Sequence, residues 1–139
     1  MERKHDRPPG HPSAPPAAQD GEHDQAQRER TARDRLLSLG AGELPRRPWR
    51  PEPAPPTTTD LTQFALWRSA ELAPEDLLSA LSLLPAAREE IEGMETGLLF
   101  TARTAGLTWA QIAEATGFRS PQACQQHYTR LNARQDGRS

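Results

Sequence analysis

Lysine is almost absent from this chain: Lys4 is the only one in 139 residues, and arginine carries the rest of the positive charge. Cysteine occurs once, at Cys124. One thiol excludes an intrachain disulfide and any cysteine-based metal site. Aromatic residues make up 5% of the chain and the mean hydropathy is −0.81. No apolar run reaches the roughly 18 residues that a membrane-spanning helix needs, so no membrane partner is expected. The N-terminus is charged and proline-rich and lacks an apolar signal core, which points to the cytoplasm. No glycine-rich phosphate loop and no nucleophile–base pair is visible, so neither an enzyme nor a cofactor is expected. The net charge of −2 gives no support to a polyanion partner, so any such case must rest on how charge is distributed.

Proline is plentiful, and its placement divides the chain. Eleven of the fourteen prolines lie in the first 56 residues. A segment so poor in large apolar groups does not offset the entropy of ordering it. Residues 1–59 therefore read as a disordered Pro/Arg-rich tail and linker, with one short helix over 22–39 ending at Gly40. That helix is polar apart from Leu36, Leu37 and Leu39 and is marginal without a partner. Arg46, Arg47 and Arg50 surround Trp49 in a basic-aromatic patch that reads as solvated linker. His5, His11 and His23 are too irregularly spaced for a metal site.

From Asp60 the pattern becomes helical. Asp60 is placed to cap a helix, with Gln63 at the capping-box position and a stripe of Leu61, Phe64, Ala65 and Leu72 with neighbouring Leu66 and Trp67. Pro74, Glu75 and Asp76 open the next helix, whose apolar face is Leu77, Leu78, Leu81 and Leu84. These form accessory helices over 60–84. Pro85 starts a third helix, with Ile91, Met94, Leu98, Ala102 and Ala105 as its apolar face and Gly106 as its stop. Thr108 and Gln111 form a capping box for a short helix that stops at Gly117. Ser120 and Pro121 open the last helix. No strand-like alternation appears, so the fold class is all-α, with a C-terminal three-helix helix-turn-helix domain over 85–134 and a disordered tail over 135–139.

Residues 107–131 carry the function. Two short helices crossing tightly need a small residue at the approach, which Ala113 supplies. They need a residue tolerant of positive φ at the turn, which Gly117 supplies, and an apolar plug after it, which Phe118 supplies. Cys124, Tyr128 and Leu131 then form the buried stripe of the last helix, with Ala123 at the crossing. What remains on that helix is Arg119, Ser120, Gln122, Gln125, Gln126, Thr129 and Arg130. Glutamine and arginine can read adenine and guanine edges in the major groove, while serine and threonine suit phosphates. From Gly117 to Arg134 there are three arginines and no carboxylate. Glu89, Glu90, Glu92 and Glu95, at the start of the preceding helix, are expected to face away from DNA.

The string from Leu107 to Ala123 resembles small actinobacterial helix-turn-helix proteins, in which a Leu-Leu-Pro-Ala-Ala-Arg helix like that of Leu83 to Arg88 precedes it. It is similar to region 4 of extracytoplasmic sigma factors. It also resembles Myb/SANT repeats through Trp109, Ile112, Ala113, Arg119, Ser120, Gln122, Cys124 and Tyr128. The resemblance implies sequence-specific binding of double-stranded DNA by the last helix, in a transcription regulator associated with the nucleoid. A homodimer on two half-sites fits a reader this small. The alternative is a helical interaction module without DNA affinity, acting on a sigma factor or RNA polymerase through residues 60–84.

Overall fold

A computed structural model describes residue 10 and residues 16–46 and 54–137. Arg47, Trp49, Arg50, His5 and His11 lie outside the described residues. Among the described residues there are six α-helices and no strand: α1 Pro16–Ser38, α2 Thr58–Trp67, α3 Pro74–Ser82, α4 Leu84–Thr104, α5 Trp109–Thr116 and α6 Pro121–Asp136. None of these helices is long and apolar enough to cross a membrane. No group of residues among them could hold a metal ion.

Local chemistry sets where most of these helices begin, though not always at the residues the pattern favours. The cap of α2 is Thr57, not Asp60. Thr57 Oγ1 accepts from the Asp60 amide at 3.1 Å, and Asp60 Oδ2 accepts from the Thr57 amide at 3.0 Å. Asp60 is thus the distal half of a capping box, which starts the helix three residues earlier. At its other end α2 stops at Trp67 instead of near Leu72. The chain tightens there into a 3₁₀ turn, Ser69–Glu71, clamped by an Arg68–Glu71 ion pair of 2.7 Å. Pro74 and Pro121 sit in the first turns of α3 and α6, where a missing N–H costs nothing.

The largest departure from the sequence pattern is α1. It begins at Pro16, not Glu22, and is packed against the rest of the fold. Ala32 and Leu36 are buried with Ala41, Leu61, Phe64, Ala65 and Leu83 in one apolar cluster. Polar ties fix its outer side. Arg35 Nε donates to Asp76 Oδ1 at 2.7 Å, and Arg33 donates to Thr58 Oγ1 at 3.0 Å and to the Pro56 carbonyl at 2.8 Å. Tertiary contact supplies the stability that its polar sequence lacks. The short helix expected over 22–39 thus spans Pro16–Ser38. At the other terminus, α6 continues through Gln135 and Asp136, residues expected in the tail.

A second cluster gathers Leu99, Ile112, Ala113, Cys124 and Leu131, with Ala102, Trp109, Phe118 and Tyr128 against it. The helix α4 is the spine between the two. Its first half lies on α2 through Glu90, and its second half lies on α5 and α6 through Leu99. This double duty overturns the expected apolar face of α4. Ile91, Met94 and Leu98 are exposed, because the two sets of partners meet α4 on either side of that stripe. The expected face of α3 fails similarly. Leu77, Leu78 and Leu81 are exposed, while α1 packs on the side that carries Asp76.

Candidate nucleic-acid interface

The turn between α5 and α6 is built as the residue types demand. The Gln111 amide donates to Thr108 Oγ1 at 3.1 Å, and the Thr108 amide donates to Gln111 Oε1 at 2.8 Å, closing a capping box at the start of α5. At its end Gly117 has φ +78°, the left-handed conformation that a Cβ disfavours. The Phe118 amide then folds back to the Ala113 carbonyl at 2.9 Å, satisfying a helix-end acceptor. This reversal directs the Phe118 ring onto the second cluster, 5.0 Å from the His127 ring. Ser120 Oγ accepts from the Ala123 amide at 3.1 Å and starts α6.

The inner side of α6 is fully committed to packing. Cys124 and Leu131 are buried, and the Tyr128 ring lies 5.6 Å from Trp109. Arg103 stacks over Trp109 at 5.0 Å and donates to the Leu107 carbonyl at 2.8 Å, tying α4, the following turn and α5 together. Two polar ties hold α6 along α4: His127 Nε2 to Glu95 Oε1 at 2.8 Å and Arg134 Nη2 to Glu92 Oε1 at 3.5 Å. Sequence spacing gives no signal for any of these pairs. They join residues whose separation has no helical period, and only the packing of α4 on α6 brings them together.

The outer side of α6 carries no such tie among the described residues. Gln122, Gln125, Gln126, Thr129 and Arg130 are all exposed and together line one open surface. Arg119 is exposed in the turn before them. Ser120 is half-buried, and its oxygen is occupied as the helix cap, which leaves its hydroxyl proton free to donate. Thr129 Oγ1 donates to the Gln125 carbonyl at 3.0 Å, which leaves its oxygen able to accept.

The carboxylates of α4 have structural duties. Glu90 reaches α2, accepting from the Thr58 and Thr59 amides at 2.7 and 2.9 Å and from the Thr59 hydroxyl at 2.8 Å. Partial burial works against its charge, but these bonds outweigh it and hold the carboxyl below the ordinary range. Glu92 and Glu95 face the back of α6. Arg134 is therefore partly offset by Glu92, while Arg119 and Arg130 face solvent with no ion pair among the described residues.

A family model described as a Myb-like DNA-binding domain matches residues 96–137. The matched span opens inside α4 and takes in α5, the Gly117 turn and α6. It supports DNA binding by this part of the chain, and it agrees with the Myb-like resemblance carried by Trp109, Ile112, Ala113 and Cys124. The first three turns of α4 lie outside it, on the helices of the N-terminal cluster. No curated protein and no solved structure matches the chain.

Proposed function

We propose that the protein is a sequence-specific regulator of transcription that lays the outer face of α6 into the major groove of duplex DNA. The observation that carries this reading is the exposed, carboxylate-free face from Gln122 to Arg130, in a segment matched by a DNA-binding family. At 1.5 Å per residue, that face is about 12 Å long. A B-form major groove is about 12 Å wide and admits one helix. Gln122, Gln125 and Gln126 each present an amide able to bond adenine in two places. Arg130 reaches guanine or phosphate, and Arg119 and the Ser120 hydroxyl reach the backbone beside the helix start. The inner ties to α4 hold α6 in one orientation, so its side chains meet the groove without prior rearrangement.

Duplex affinity measured against salt concentration tests this. Association driven by released counterions loses affinity steeply with salt, and Arg119→Ala should reduce the slope of log K against log salt by about one. On a selected site, Gln122→Ala should weaken binding by about 1–3 kcal/mol while leaving non-specific duplex binding nearly unchanged. Absence of duplex binding at low salt overturns the proposal. Equal loss on every sequence would remove Gln122 from base reading.

A further inference from the structure

The apolar surfaces that the fold leaves uncovered lie next to one another. A groove of about 400 Å³ runs between α2 and α3, lined by Thr62, Ala65, Leu66, Leu77, Leu81 and Leu84 among others, with no charged group among its described lining residues. Leu66 is 77% exposed, Leu81 58% and Leu77 40%. Leu84 closes the groove and is also the first residue of α4. Seven and fourteen residues on, Ile91 and Leu98 lie on the same face of that helix, with Met94 between them. These three are 51%, 72% and 55% exposed, in the order Ile91, Leu98, Met94. The molecule thus carries a concave apolar groove and a convex apolar ridge, joined at Leu84.

A groove and a ridge side by side on one surface are self-complementary under a two-fold axis. We infer that a second copy of this chain covers this face. The two α4 helices cross antiparallel near Ile91, and Met94 and Leu98 of each copy seat in the α2–α3 groove of the other. The area is of the right order. A fully exposed aliphatic side chain offers roughly 100 Å² of apolar surface. Six of them exposed to this extent give about 350 Å² per copy. A standard interface buries ~800 Å² per partner, of which some 60% is apolar, so these six side chains supply most of what is needed.

The dimer surface does not depend on DNA binding and is tested without DNA. Sedimentation velocity of the full chain over a range of concentrations should show a monomer–dimer equilibrium. Leu98→Glu and Leu81→Glu should each weaken association by more than about tenfold, while Phe100→Glu, on the opposite side of α4, should leave it unchanged. Circular dichroism should report the same helix content for all three, since each replaced side chain is exposed. Mixing Leu98→Glu with Leu81→Glu supplies the decisive readout. Their heterodimer keeps one intact groove–ridge contact, so the mixture should associate more tightly than either variant alone. A wild-type chain that stays monomeric overturns the inference. So does a dimer indifferent to Leu98→Glu, or a mixture no tighter than its components. A monomer that instead binds RNA polymerase or a sigma factor through Leu81 would assign the groove to that protein.

Discussion

Glu90 is the joint between the two halves of the fold, and its removal should be measurable. The helix α2 has a reciprocal capping box that satisfies the Thr57 and Asp60 amides, but the Thr58 and Thr59 amides of its first turn have no local acceptor. Glu90 supplies one from α4, adding a negative charge at the positive end of the α2 dipole. A hydrogen bond to a charged group contributes about 1.5–3 kcal/mol. Three bonds to one half-buried carboxylate are not additive, and water replaces part of them. Glu90→Ala should therefore cost about 2–3 kcal/mol in urea unfolding at neutral pH, or roughly 6–12 °C in Tm for a chain of this size. Glu90→Gln keeps one acceptor oxygen and should cost about 1–2 kcal/mol. The folded carboxyl titrates below its unfolded value, so its contribution is fully present above the unfolded pKa of about 4.3. That contribution is lost as pH falls through the lower, folded value. The gap between wild type and Glu90→Gln should accordingly close as the buffer is taken below pH ~4. A gap that stays the same at both pH values, or a Glu90→Ala variant as stable as wild type, would refute this account of the joint.

Two further substitutions probe the helix-turn-helix itself. Gly117→Ala should destabilise by about 1–2 kcal/mol in chemical denaturation, from the left-handed backbone alone, because no atom lies within 4 Å of the added methyl; a neutral or stabilising result would mean that the turn relaxes. Leu131→Ala opens a cavity at a side chain with 1% exposure and should cost about 2–5 kcal/mol by thermal unfolding; a cost below ~1 kcal/mol would show that the second cluster is loosely packed there.

The all-α class and the local chemistry of the C-terminal turn follow from the order of residues alone. The Thr108–Gln111 box, the Gly117 stop, the Phe118 plug and the Ser120–Pro121 start all form as their residue types dictate. They were legible because each depends on neighbours within five residues. The buried stripe of α6 was legible for the same reason, since Cys124, Tyr128 and Leu131 follow helical spacing on a helix with one packed side. The exposed set Gln122, Gln125, Gln126, Thr129 and Arg130 is the remainder once that stripe is removed.

What each of the longer helices buries depends instead on long-range packing. The polarity of α1 marked it as a helix marginal without a partner, and burial of Ala32 and Leu36 supplies that partner. Hydrophobic period gave α4 one apolar face. A helix shared between two clusters has two packed sides instead, and Ile91, Met94 and Leu98 are left between them. Glu90, Glu92 and Glu95 looked like helix-start charges, but their partners lie on α2 and α6, more than thirty residues away for Glu90 and Glu95. Periodicity records that a helix has an apolar side. Which neighbour reaches that side, and whether any does, depends on how the chain folds back on itself.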